Sequence, residues 1–203
     1  MTQLALFDYG AGNIFSLKNS FEKLGATVKV ITDFDSENNF SGLLLPGVGN
    51  FDPAIKSITE KSKKKFSEFV SDNTPVLGIC LGMEMYFQRS DEGKEKGLGV
   101  IDGEVITLPD TMKVPHMGWN DIQIKNKQSK LLQGVKEGSW VYFVHSYLAK
   151  PDSYDVVSAE SDYGIQVPAV IEKGNFFGTQ FHPEKSGPVG KIMLENFLQE
   201  CRK

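Results

Sequence analysis

The sequence is poor in the residues from which several kinds of protein are built. Its 203 residues hold two cysteines, Cys80 and Cys201, and three histidines. A disulfide framework is therefore not expected, and a zinc site is disfavoured because no paired Cys/His spacing occurs. No cofactor is implied. No apolar run approaches the roughly 18 residues that read as a membrane-spanning helix. The opening residues 1–13 lack the basic and long apolar regions of a secretion signal, so a cytoplasmic protein without membrane contact is expected. A basic excess is missing too. With 22 Lys and Arg against 26 Asp and Glu, the net charge is −4, which argues against a nucleic-acid surface. The short run Lys61-Ser62-Lys63-Lys64-Lys65 reads as the solvated face of a helix. No internal repeat, low-complexity tract or linker is visible, and the length suits one compact domain over residues 1–203.

What is present alternates. Residues 4–7 form a short apolar run, followed by a turn and by Ile14, Leu17, Phe21 and Leu24 at helical spacing, with Asn13 as a cap and Gly25 as the stop. Residues 27–31 and 42–45 read as further strands, and Asp52-Pro53 as the cap and first-turn proline of the next helix. A charged helix follows. Asn73-Thr74-Pro75 then breaks the chain before a strand over 76–79, and 81–88 reads as helical. Between 97 and 179 the texture turns to short β segments, at 100–108, 121–124, 140–144, 156–159, 167–171 and 176–179. Lys173-Gly174-Asn175 makes a hairpin turn between the last two. Ser186, Pro188 and the spacing of Val189, Ile192, Met193 and Phe197 predict a closing helix. The fold class is α/β, a mainly parallel central sheet flanked by helices with an antiparallel β insertion.

The chemistry concentrates at Gly78-Ile79-Cys80-Leu81-Gly82, a G-x-C-x-G between a predicted strand and a predicted helix. A side chain on such an elbow is pushed out of the sheet by a strained backbone, and bulk beside it would collide. The following helix N-terminus is expected to favour the thiolate, and the Leu81 N–H to face a developing oxyanion. The competing reading is a buried, inert cysteine beside two packing glycines. A thiol nucleophile needs an imidazole, and His116, His145 and His182 are the three available. His182 follows a predicted strand and is trailed two residues later by Glu184, which has the charge and position to hold the second ring nitrogen. His145 and His116 are rival bases without a carboxylate nearby in sequence.

Gly-Ile-Cys-Leu-Gly-Met and His-Pro-Glu-Lys-Ser resemble the two signatures of class I glutamine amidotransferases. Asp8-Tyr-Gly-x-Gly-Asn13, Leu45-Pro-Gly-Val-Gly49, Pro115-His-Met-Gly-Trp-Asn120 and Tyr142-Phe-Val-His-Ser-Tyr147 extend the likeness to almost the whole chain. They are similar to the branch of glutaminase subunits of imidazole glycerol phosphate synthases. The resemblance implies that Cys80 attacks the side-chain amide of glutamine, that His182 shuttles the proton with Glu184 behind it, and that water releases glutamate from a thioester. It implies a second oxyanion donor near Val48, and glutamine contacts from Gly49, Glu84, Glu92, Ser146 and Tyr147. Asn13, Trp119, Asn120 and Lys185 resemble residues near the interface with a synthase partner of (β/α)8 form, joined as a heterodimer that consumes the ammonia. For Trp119 a plain core position, and for Asn13 a plain helix cap, are the alternatives. Glu84 departs from the pattern, since the family usually has glutamine four residues after the cysteine. An ionised carboxylate there cannot donate, and beside the sulfur it would raise the cysteine pKa. Two other readings stand beside this one, a paralogous glutaminase feeding another amination and a cysteine peptidase on a related scaffold.

Overall fold

The computed structural model of the chain describes residues 2–10, 14–33, 40–58, 60–71 and 73–203. Strand β1 (Gln3–Phe7) sits between β2 (Thr27–Ile31) and β3 (Gly42–Leu45), parallel to both. Its side chains alternate between two cores, as a strand covered on both faces requires. Leu4 and Leu6 join one cluster with Leu17 and Phe21 of α1 (Ile14–Lys23) and with Leu194, Phe197 and Leu198 of α5 (Gly187–Glu200). Ala5 and Phe7 join the other, with Phe51 and Ile55 of α2 (Phe51–Ser57) and Phe66 of α3 (Glu60–Ser71). Phe197 packs edge to face on Phe21 and on Phe177, with ring centroids 6.0 and 5.8 Å away. Each ring so buried contributes about 1.5–3 kcal/mol.

Strand β4 (Val76–Ile79) pairs with β3, and β12 (Phe176–Thr179) pairs with β4, again parallel. The register sets Thr179 against Ile79. Residues a hundred apart in the chain therefore leave the sheet side by side at its carboxyl edge, where sites on parallel α/β sheets form. Beyond β12 the direction reverses. β11 (Gln166–Lys173), β10 (Val157–Asp162), β7 (His116–Ile124) and β8 (Ser139–His145) continue the same sheet antiparallel, giving nine strands among the described residues. The expected insertion is thus partly an extension of the main sheet. A second, three-stranded sheet contains β5 (Arg89–Ser90), β6 (Gly103–Thr107) and β9 (Tyr147–Pro151).

Several expectations are corrected. The helix after Cys80, α4, runs only from Leu81 to Glu84. The Met85 carbonyl is taken by Leu98 N at 2.8 Å, and the Tyr86 carbonyl by Val100 N and Ile101 N at 2.8 and 3.0 Å. Those acceptors are then lost to a continuing helix. Helix α2 is capped at Asn50, not Asp52. The Asp52 carboxylate instead ties the distant Lys94 and Glu95 amides, both at 2.9 Å through Oδ1. β7 starts at His116, five residues earlier than expected, and β10 is preceded by a 3₁₀ turn at Tyr154–Val156. Among the described residues no helix is long and apolar enough to cross a membrane.

Candidate active site

Cys80 stands where β4 stops, with φ 50° and ψ −110°, a backbone region that costs a side-chain-bearing residue about 1–3 kcal/mol. The surroundings over-determine it. A Cβ on Gly82 would lie 2.0 Å from the Leu45 carbonyl oxygen, and one on Gly47 1.6 Å from that of Ile79. The glycines of the elbow and of the 46–49 loop are thus needed for close approach, and the Cys80 amide donates to Thr179 O at 2.6 Å. The elbow is built as the sequence predicts, and the sulfur opens on a cleft of about 300 Å³.

That cleft is walled by Gly47, Val48 and Gly49 on one side and by Leu81 and Glu84 on another. Glu92, Pro115, Val144, His145, Ser146 and Tyr147 complete it. All five residues expected to touch a substrate, Gly49, Glu84, Glu92, Ser146 and Tyr147, are therefore brought to one cavity, as are both oxyanion candidates. Glu92 is fixed by accepting from the Phe51 amide at 2.9 Å, and burial raises its carboxyl. The antiparallel pairing of β6 with β9, which sets Thr107 against Tyr147, carries the 146–147 wall into place.

His182 lies just past β12, and its Nδ1 is 2.8 Å from Glu184 Oε1. Both side chains are buried, with 2% and 7% of their surface exposed. The 3₁₀ turn Pro183–Lys185 folds the carboxylate back onto the ring. Ser186 occupies the cap position of α5 without capping it. Its hydroxyl donates to His182 O at 2.6 Å and accepts from the Tyr142 amide at 3.0 Å, clamping the histidine backbone to β8.

Two expectations at the sulfur are not met. The Cys80 thiol donates to Val144 O at 3.7 Å, and His182 Nε2 is buried without a hydrogen-bond partner. The proton-accepting atom of the ring is unengaged, and the expected cysteine–imidazole bond is not formed. Nor is a resting thiolate favoured. Burial pushes the Cys80 thiol well up, the Glu84 and Glu184 charges push it further, and hydrogen bonds from Leu81 N–H and Gln180 oppose them. A four-residue helix does not outweigh desolvation.

The rival imidazoles face each other instead. His116 Nδ1 and His145 Nε2 are 2.9 Å apart, and His145 Nδ1 is 2.7 Å from Tyr147 O. His145 must donate to the carbonyl, and with both rings neutral His116 donates to His145. Burial holds their pKa values down at about 4 and about 3. Trp119 is 52% exposed, which removes the core reading, and packs edge to face on Tyr142 at 5.9 Å. Lys185 is exposed, and the Asn120 side-chain amide donates to Asp162 O at 2.9 Å. Asn13 lies outside the described residues. Two buried polar residues lie within motifs that carry the resemblance, Tyr9 in Asp8–Asn13 and Gln180 in Gly178–Ser186, but the sequence assigns neither a role. Gln180 Nε2 donates to Glu84 Oε1 at 2.9 Å and lies 3.8 Å from Cys80 Sγ. The Tyr9 hydroxyl is buried without a partner.

Residues 5–201 match the family model of class-I glutamine amidotransferases. The chain is 46% identical over 202 residues to the imidazole glycerol phosphate synthase subunit HisH of Geobacillus sp. (strain WCH70), covering 96% of this chain and 95% of the relative. The same-named subunit of Caldanaerobacter subterraneus subsp. tengcongensis is 42% identical, with 96% of each chain covered. Among solved structures, PurLQS from Thermotoga maritima superposes with a TM-score of 0.78 at 18% identity, over 98% of both chains. A glutamine amidotransferase from the same organism gives 0.73 at 15%, over 100% of this chain and 99% of that one. At those identities the structures speak for the fold, while the family model and the closer relatives speak for descent. The chain belongs to the class-I glutamine amidotransferases.

Proposed function

We propose that this enzyme is the glutaminase subunit of an imidazole glycerol phosphate synthase and works in histidine biosynthesis. In this reading glutamine lies in the cleft with its side-chain amide carbon at Cys80 Sγ. Because the resting sulfur is a thiol, His182 Nε2 takes the S–H proton as the sulfur attacks, and Glu184 stabilises the imidazolium that forms. The carbonyl oxygen becomes an oxyanion held by the Leu81 N–H and a backbone N–H near Val48. The proton passes to the amide nitrogen, the C–N bond breaks and ammonia leaves a thioester on Cys80. A water, deprotonated by the same ring, cleaves the thioester to glutamate and regenerates the thiol.

The ammonia goes to a synthase partner of (β/α)8 form, joined as a heterodimer. There it is consumed in making imidazole glycerol phosphate and an aminoimidazole carboxamide ribotide. The observation that carries the pathway is identity of 42 to 46% over nearly the full chain to subunits that bear the synthase name. What carries the chemistry is a strained cysteine on one strand end beside a buried His182–Glu184 pair on the next. The test mixes the chain with such a synthase partner and follows glutamate release. Acceleration when the synthase ligand is bound is expected, and its absence counts against the pathway.

A further inference from the structure

Glu84 stands where the family that the sequence resembles usually has glutamine, and it is also the most deeply placed of the cleft carboxyls. It is 4% exposed, and burial pushes its carboxyl up to about 7. Its Oε1 accepts from Gln180 Nε2 at 2.9 Å, and that same nitrogen points a donor at Cys80 Sγ, 3.8 Å away. Gln180 is fully buried and its Oε1 has no hydrogen-bond partner.

An unpaired buried amide oxygen is costly, so the amide is not oriented by what its oxygen gains. It is oriented by what its nitrogen meets. With Glu84 ionised, the opposite orientation would press two acceptor oxygens together. With Glu84 protonated, the carboxyl O–H can donate to Gln180 Oε1, and the amide is free to turn its NH₂ away from the sulfur. Glu84 thus acts on the sulfur twice, by fixing a donor toward it and by placing a like charge beside it. The two effects oppose each other, and the charge is the larger, second only to burial among the influences on the thiol.

We infer that Glu84 is a positioning residue for Cys80: its carboxylate, 2.9 Å from the Gln180 nitrogen that lies 3.8 Å from the sulfur, holds that amide with the NH₂ toward the sulfur and sets a negative charge behind it. This rests on reading Cys80 as the nucleophile. Glu92 lines the same cleft as Glu84, and its charge resists ionisation there. The Tyr9 and Tyr147 phenols also feel the Glu84 charge, and Glu184 adds its own charge at Cys80. The arrangement predicts a nucleophile restrained at rest, in contrast to one carrying a neutral glutamine at the same position, which accepts from Gln180 without adding charge.

The test is the rate of Cys80 alkylation by iodoacetamide between about pH 8 and about pH 9, below the raised inflection of this thiol, where the rate follows the thiolate fraction, read on the Cys80 peptide by mass so that Cys201 does not interfere. In Glu84→Gln the acceptor for Gln180 remains and the charge is gone. Its rate exceeds that of the native chain by about tenfold or more, the thiolate gained by removing a neighbouring like charge. In Gln180→Leu the donor is gone and the charge remains, so the rate falls. A Glu84→Gln rate that matches the native one, or a Gln180→Leu rate that does not fall, overturns the inference. Either variant suffices if the other fails to fold. Alkylation reads the sulfur whether or not glutamine is turned over, so failure here is distinct from failure of the glutaminase reading.

Discussion

His182 is gripped from one side only. Glu184 holds Nδ1 at 2.8 Å, while Nε2 is buried and unengaged, so a proton arriving from the sulfur has one destination and its positive charge one partner. Replacing Glu184 by Gln keeps the shape and removes that partner. Glutamate release should fall by about two to four orders of magnitude in kcat, with a smaller change in KM. Glu84 affects stability as well. Its pKa rises from 4.5 unfolded to about 7 folded, so the folded state binds the proton more tightly. The contribution is fully present below about pH 4.5 and is lost as pH rises through about 7, a loss of about 3 kcal/mol. The buried His116 and His145, whose pKa values are lowered to about 4 and about 3, add stability as pH rises through the same window, so Glu84 is read by difference: the melting temperature of Glu84→Gln should climb more steeply than that of the native chain. An unaltered slope in the variant would show that the carboxyl is not buried as described.

At the scale of elements the elbow depends on backbone contact more than on side chains. Gly82→Ala would push a Cβ to 2.0 Å from the Leu45 carbonyl oxygen, whereas a Cβ on Gly174, at φ +62° in the β11–β12 turn, meets nothing within 4 Å. In urea unfolding, Gly174→Ala should cost about 1–2 kcal/mol from the left-handed backbone alone. Gly82→Ala should cost more, about 3 kcal/mol or above, as a core clash with little freedom to relax. The same elements show what is legible in the sequence. Cys80 and the His182–Glu184 pair can be read because their signals are local, a strand-to-turn glycine pattern and a carboxylate two residues from a histidine. Strand β12 has legible bounds because a hairpin turn and Thr179 frame it. The role of Gln180 is invisible because its partner Glu84 is 96 residues away, and nothing in either segment announces the other. The helix after Cys80 reads too long because its apolar spacing continues through Phe87. What stops it is residues 98–101 claiming its carbonyls. Strand β9 escapes because Lys150 and Pro151 break the apolar run, while pairing with β6 supplies the order that pattern lacks.

For the molecule as a whole, the carboxyl edge of the parallel strands gathers the cleft, and exposed apolar surface remains nearby. Trp119 is 52% exposed and Met117 62%, both on β7, which follows the cleft-lining Pro115 and pairs with β8, whose Val144 and His145 line the cleft. If the synthase partner covers this surface, Trp119→Ala should weaken the heterodimer by about 2 kcal/mol or more, roughly 30-fold in Kd. The melting temperature of the isolated chain should change little, because half the ring is already in water. Calorimetric titration of the two proteins distinguishes this from a structural role.

The most direct trial of Cys80 as the glutamine-attacking nucleophile is covalent labelling with a glutamine analogue that carries an electrophile at its side-chain end, read by intact mass and peptide mapping. One adduct per chain, on the Cys80 peptide, slowed by free glutamine and absent from Cys80→Ala, is the predicted result. An adduct on another residue, or labelling of Cys80 that glutamine does not slow, would contradict it.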